Sequence, residues 1–97
     1  LPEALNSFKE AEKLLAENDM LNSQASTISN IGLVYYRQKE NEKALEYFQK
    51  SYAIKKQLGN KKGIASTLNN MAGIYIRIGN YSQAEKLLLE AKEIAIL

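Results

Sequence analysis

The feature that most constrains the fold of this chain is an internal repeat with a period of 40 residues. When the 97-residue sequence is shifted against itself by 40 positions, 11 residue pairs are identical, and many others exchange one apolar residue for another. The longest identical run is Ala25-Ser26-Thr27, which recurs as Ala65-Ser66-Thr67. Periods of this length are typical of stacked arrays in which each unit buries its apolar surface against the next.

Apolar residues within each copy recur at the i, i+3, i+4, i+7 spacing of an amphipathic helix. This periodicity predicts five helices in a single domain that covers residues 1–97, at 3–17, 23–39, 41–58, 62–78 and 81–96. In the second of these helices we expect a core-facing stripe that consists of Ile28, Ile31, Gly32 and Tyr35. We also expect small residues such as Gly32 to allow close helix contacts.

The connections between the predicted helices are short, which favours antiparallel neighbours. Gly59-Asn60 and Gly79-Asn80 each supply a left-handed residue followed by an N-cap. Lys39 stands where the next copy has Gly79. A left-handed lysine costs about 1 kcal/mol relative to glycine, so we expect this turn to have a different shape.

The segment from Leu68 to Ala84 resembles the tetratricopeptide repeat signature in its small pair Ala72-Gly73, its Tyr75 and its turn Gly79-Asn80-Tyr81. The 40-residue period resembles the long repeats of kinesin light chains. It also resembles bacterial peptide-sensing regulators and arrays attached to histidine kinases or transcription factors. The resemblance implies an all-α, right-handed α-solenoid of antiparallel helix pairs, with about two and a half repeats. It further implies that the first helix of each pair lines a concave surface.

The composition excludes several classes of function. The chain has no cysteine and no histidine, which excludes Cys/His metal sites, thiol nucleophiles and the commonest general base. No nucleophile–base pair or phosphate loop is recognisable, so we predict neither enzymatic activity nor a cofactor or metal site. A net charge of +2 is too small to indicate nucleic-acid binding, and no apolar run could cross a membrane. The cytoplasm is the default expectation for its location.

Charged residues are distributed unevenly along the repeat. All 11 carboxylates lie outside residues 23–39 and 61–78, which do contain Arg37, Lys39, Lys61, Lys62 and Arg77. The predicted concave surface is therefore neutral to basic. The basic run Lys50, Lys55 and Lys56 is interpreted instead as part of a solvated outer face.

Two equivalent stripes lie opposite the predicted core, each reading small polar residue, asparagine, variable residue, arginine. An asparagine can pair with the backbone of an extended peptide whatever its sequence, and an arginine suits a carboxylate or phosphate. The predicted ligand-binding residues are Asn30, Asn70, Arg37, Arg77, Ser26, Ser66, Asn69, Tyr36 and Leu33. Two alternatives remain open: the asparagines only tie adjacent repeats together, and the arginines only complement helix dipoles.

Three functions fit this pattern. The first is a scaffold that binds a protein or an extended peptide, with an acidic peptide or a free C-terminal carboxylate as suitable ligands. The second is a regulatory segment of a larger sensor kinase or transcription regulator. The third is a structural array, a homo-oligomer formed through exposed terminal helices. Because no initiator methionine is present, we interpret the chain as part of a longer protein.

Overall fold

The computed structural model describes the backbone of residues 2–96 and the side chains of Lys13 and of residues 16–94. Four helices follow one another, and no strand occurs within this part of the chain. They are α1 (Pro2–Arg37), α2 (Asn41–Leu58), α3 (Lys61–Arg77) and α4 (Tyr81–Ile96). Tight turns connect consecutive helices, and each helix packs against the next, so the fold consists of antiparallel helical hairpins. The right-handed sense of the solenoid stays a prediction.

The prediction of five helices is wrong at the beginning of the chain. The segments predicted at 3–17 and 23–39 form one continuous helix, α1, which ends at Arg37. The sequence shows why no break occurs between them. At the equivalent point 40 residues later, Gly59 is left-handed with φ 67° and Asn60 caps α3 by accepting a hydrogen bond from the Gly63 amide. Asp19 and Met20 stand at those positions and offer neither device, so the helix continues.

The turn after α1 has the same shape as the turn after α3, contrary to expectation. Lys39 is left-handed with φ 63°, as Gly79 is with φ 85°. The amide of Glu40 donates to the carbonyl of Tyr35, and that of Asn80 donates to Tyr75 in the same pattern. The chain therefore accepts the strain of a left-handed lysine in order to satisfy the last carbonyls of the helix.

The core lies between α2, α3 and α4, with Phe48 fully buried near its centre. Its members are Ala44, Phe48, Ile64, Leu68, Met71, Ala72, Ile74, Ala84, Leu87 and Ala91. Gly32 is also buried, and a Cβ built on it would lie 3.0 Å from Cε1 of Phe48. The absence of a side chain at Gly32 therefore lets α1 approach the ring of Phe48, which confirms the expected close helix contact.

The stripe predicted to face the core of α1 is partly wrong. Gly32 is buried and Ile28 and Tyr35 are half-buried, but Ile31 is 37% exposed; Val34, which was not part of the predicted stripe, is 50% exposed. The equivalent residues of α3, Met71 and Ile74, are 7% and 0% exposed. This difference arises because α2 covers that face of α3, whereas the residues that precede Ile28 continue along the axis of α1.

The geometry of α1 shows how far it extends. The Asn60 side chain at the end of α2 donates to Oδ1 of Asn22 at 3.3 Å, so α2 ends beside Asn22. A 36-residue helix is about 54 Å long, and its N-terminal part therefore runs beyond α2. The long axis of the molecule, 61 Å, agrees with this arrangement. Of the helices described here, none combines the length and the apolar character that crossing a bilayer requires.

Candidate functional site

A groove runs between α1 and α3, with α2 as its floor. We call it the α1–α3 groove and define it by two hollows that residues from all three helices line. The middle hollow is lined by Leu33, Tyr36, Phe48, Asn69, Asn70 and Gly73. The basic hollow is lined by Ser26, Lys55, Asn60, Lys62, Gly63 and Ser66.

The middle hollow is small, about 100 Å³, and combines an aromatic wall with two amides. Phe48 forms its buried base, and Tyr36 from α1 faces Gly73 from α3. A Cβ on Gly73 would lie 3.4 Å from Oη of Tyr36, an ordinary van der Waals distance, so the phenol lies close to α3 at this point. Asn70 is half-buried and Asn69 is exposed, which leaves amide donors and acceptors available on the α3 side.

The basic hollow has a volume of about 270 Å³ and contains Lys55, which comes from α2 and is only 8% exposed. The Nζ atom of Lys55 donates to Oγ of Ser29 at 3.2 Å and to Oγ1 of Thr67 at 3.1 Å. Within residues 16–94, no carboxylate forms an ion pair with this lysine. Burial therefore lowers the pKa of Lys55, because the charged form is poorly solvated there.

The hydroxyl groups around Lys55 connect three helices. Ser51 of α2 donates to the carbonyl of Ala25 in α1 at 2.9 Å, and its hydroxyl also pairs with that of Ser29. Thr67 of α3 donates to the carbonyl of Gly63 at 2.9 Å. Each buried polar side chain in this cluster has a hydrogen-bond partner, so the cluster fixes α1 relative to α3, and the hydroxyls of Ser29 and Thr67 offset part of the cost of burying Lys55.

The opposite end of the groove is closed by Arg77. Its guanidinium lies 3.8 Å from the centre of the Tyr36 ring, and Nη1 donates to the carbonyl of Tyr36 at 2.6 Å. Nη1 also lies 3.2 Å from Oδ1 of Asn41, which accepts from it. Arg77 thus ties the end of α3 to the turn between α1 and α2, while its exposed remainder faces solvent.

The structure brings together seven of the nine residues that the sequence indicated. Leu33, Tyr36, Asn69 and Asn70 line the middle hollow, Ser26 and Ser66 line the basic hollow, and Arg77 lies on Tyr36. Asn30 and Arg37 are exposed and line neither hollow.

Sequence reasoning missed Lys55, which was assigned to a solvated outer face together with Lys50 and Lys56. Lys50 and Lys56 are indeed exposed, but Lys55 is buried. A signal was available: Lys55 follows Phe48 and Ser51 at the i+7 and i+4 positions of the apolar stripe of α2. Asn60 and Lys62, in the linker and the first turn of α3, were also not among the predicted contacts.

Comparison with known proteins agrees with this architecture. Residues 23–96 match the family model of the tetratricopeptide repeat. The chain belongs to the tetratricopeptide repeat family. Repeats of this family generally mediate interactions between proteins, so the role of a protein-interaction scaffold follows at this level.

One relative is the photosystem I assembly protein Ycf3 of Rippkaea orientalis, with 35% identity over 91 residues. The match covers 94% of this tetratricopeptide repeat chain but 44% of the relative, so the chain spans less than half the length of that protein. No solved structure matches the chain.

Proposed function

We propose that this tetratricopeptide repeat chain binds an extended, acidic segment of another protein in the α1–α3 groove. The observation that carries the proposal is the lining of the groove. Its two hollows present amides, hydroxyls and the two lysines Lys55 and Lys62, and no carboxylate is among their described lining residues. A ligand with negative charge near the basic hollow would therefore meet complementary charge without repulsion.

The dimensions of the groove suit a short peptide. From Ser66 to Arg77 the groove follows α3 for about 16 Å, at 1.5 Å per residue. An extended chain of about five residues covers that distance. In this arrangement Asn70 pairs with the peptide backbone, and Tyr36 supports an apolar side chain over the middle hollow.

Arg77 has a more limited role in this proposal than the sequence indicated. Its Nη1 atom already donates to Tyr36 and Asn41, so it positions the end of the groove. A free C-terminal carboxylate remains a suitable ligand for its exposed nitrogens, but the buried charge of Lys55 makes the opposite end the stronger site for an acidic side chain.

Enzymatic activity is not part of the proposal. Lys55 Nζ lies 3.2 Å from Oγ of Ser29, a distance that a serine–lysine pair would need for proton transfer. Ser29 is buried, however, and is not among the residues that line the basic hollow, so a substrate carbonyl has no access to its hydroxyl. The pair is better explained as part of the cluster that holds α1 against α3.

The proposal can be tested by measuring binding of fluorescein-labelled five- to eight-residue peptides from an acidic and a neutral peptide library. Asn70→Ala and Lys62→Glu should each weaken the best acidic ligand about tenfold or more, because they remove a backbone contact and reverse a charge. Lys86→Glu is the matched control, since Lys86 is an exposed lysine on α4, and it should change affinity less than about twofold. Equal losses in Lys62→Glu and Lys86→Glu, or no acidic ligand at all, would contradict the groove proposal.

The regulatory alternative predicts that occupation of the same groove controls a sensor kinase or transcription regulator in the same polypeptide. The chain covers less than half of its relative Ycf3, so such a role involves residues other than these 97. Cytoplasmic location is likewise part of this proposal.

A further inference from the structure

An apolar face of α1 is partly exposed. It consists of Ile28, Ile31 and Val34, of which the last two are 37% and 50% exposed. We call it the α1 apolar face. The equivalent residues in α3 are Leu68, Met71 and Ile74, which are all buried in the core, and Met71 and Ile74 lie on the side of α3 where Thr67 contacts Lys55 of α2. Equivalent apolar faces of the two helices therefore differ, because that of α3 is buried and that of α1 is partly exposed.

The sequence contains a second segment suited to cover such a face. Residues 4–15 repeat the pattern of α2, with Ala4, Leu5 and Phe8 identical to the residues 40 positions later. Where α2 has Ser51 and Lys55, this segment has Ala11 and Leu15. The segment is thus a more apolar version of the helix that covers α3, and the α1 apolar face resembles the surface that α2 covers.

Residues 4–15 cannot pack on the α1 apolar face of their own chain. Residues 4–15 and the α1 apolar face belong to one continuous helix, and Asp19-Met20 lacks the glycine and the asparagine cap that break the chain at Gly59-Asn60. We propose that residues 4–15 of a second copy cover the α1 apolar face, and that the exchange is reciprocal. The result is a two-fold dimer in which two α1 helices lie antiparallel along their full length.

The register of this dimer follows from the α2–α3 pair. Lys55 contacts Thr67, and a Cβ on Gly63 would lie 2.8 Å from Cδ of Lys55. For two residues that face each other in α2 and α3, the sum of the residue numbers is thus about 120. In the equivalent pair one repeat earlier, each number is 40 lower, so the sum is about 40. In an antiparallel dimer with that register, residue 20 of one copy lies opposite residue 20 of the other. Met20 is 72% exposed and lines an open hollow with Glu17, Leu21 and Gln24, as a residue at such a two-fold axis requires.

The first experiment is sedimentation equilibrium of the 97-residue chain over a wide range of concentration. A dimer is expected, and Ile31→Gln/Val34→Gln should weaken its association at least tenfold while helical circular dichroism of the monomer stays unchanged. Leu88→Gln is the matched control, because Leu88 is a similarly exposed leucine on α4 at 42%. A chain that stays monomeric, or an open series of oligomers abolished by Leu88→Gln, would overturn the proposal; the latter would indicate end-to-end stacking on α4.

The second experiment tests the register. Since the chain has no cysteine, Met20→Cys provides a single thiol for a short bismaleimide. A covalent dimer is expected at high yield, whereas Ser82→Cys, an exposed position on α4, should give little. Absence of the Met20→Cys product would overturn the proposed register and would favour closure of residues 4–15 within one molecule.

These results are separable from those of the groove. On the helix, Ile31 and Val34 lie on a different side of α1 from Ser26 and Leu33, at 100° per residue. If the chain is monomeric, it could still bind an acidic peptide in the α1–α3 groove. If it is a dimer, it could still fail to bind an acidic peptide.

Discussion

α1 and α3 share the run Ala-Ser-Thr, an asparagine, a tyrosine and a final arginine in the same register, but their surroundings differ. α2 buries Met71 and Ile74 of α3, while Ile31 and Val34 of α1 remain exposed. The difference shows that the apolar face of a helix in a repeat array is buried by the preceding helix. The sequence pattern of the helix itself specifies only which face is apolar. Side-chain burial in such a chain is therefore a property of pairs of segments.

The largest expected effect separates the two faces directly. Ile74→Ala should lower the free energy of unfolding by about 3 kcal/mol, because Ile74 is fully buried and its truncation leaves a cavity. Val34→Ala, at the equivalent position of α1, should cost less than about 1 kcal/mol. Urea unfolding at a concentration where the chain is monomeric measures both. Similar losses in the two variants would show that α1 is covered in the monomer.

A smaller effect is expected at the two equivalent turns. Lys39 and Gly79 are both left-handed, and only the lysine has a Cβ that strains this conformation. Lys39→Gly should therefore raise the free energy of unfolding by about 1 kcal/mol, and Gly79→Lys should lower it by about the same amount. Thermal unfolding of both variants checks the prediction. A destabilised Lys39→Gly variant would mean that the lysine side chain makes a compensating contact.

The N-caps that follow these turns should differ by about 0.5 kcal/mol. Asn80 accepts a hydrogen bond from the Gln83 amide at 3.3 Å, whereas Glu40 makes no side-chain cap at the start of α2. Glu40→Asn should stabilise the chain slightly by supplying that acceptor, and Asn80→Ala should destabilise it by a similar amount. Urea unfolding is sensitive enough for this comparison, and a stabilising effect of Asn80→Ala would contradict it.

The sequence predicted the parts of this molecule that depend on local signals. Gly59-Asn60 and Gly79-Asn80 indicated turns that the structure contains. Three of the predicted ligand-binding residues, Tyr36, Asn69 and Asn70, lie around one hollow, and their role in binding stays a prediction. The break near residue 20 was inferred from the repeat and its helical periodicity, although Asp19 and Met20 stand where the later copy has the glycine and asparagine of its turn. The position of Lys55 on the buried side of α2 could be inferred from its spacing to Phe48 and Ser51, but its hydrogen-bond partners, the hydroxyls of Thr67 and Ser29, lie 12 and 26 residues away and follow only from the tertiary structure.

The effect expected to be smallest concerns Lys55, since two hydroxyls near its Nζ offset part of the cost of its burial. Its pKa is lowered from 10.5 by burial, so between the folded pKa and 10.5 the unfolded chain binds more protons than the folded chain. The free energy of unfolding should therefore rise with pH in that window; below it, the cost of burying the charged lysine is fully present and does not change with pH. Tyr52 acts in the opposite sense above pH 10, because burial and its hydrogen bond to Glu90 raise its pKa.

Urea unfolding between pH 7 and pH 10 isolates the lysine from the tyrosine. Lys55→Met should remove the rise, because the variant has no titrating group at this position. Lys56→Met should retain it, since Lys56 is the exposed neighbour of Lys55 on the same helix. At the equivalent position 40 residues earlier, the chain has an apolar residue, Leu15, in the place of Lys55. If the rise survives in Lys55→Met, it comes from another group, and the charge of Lys55 is then solvated through the basic hollow. In that case the groove would offer a ligand much less electrostatic attraction.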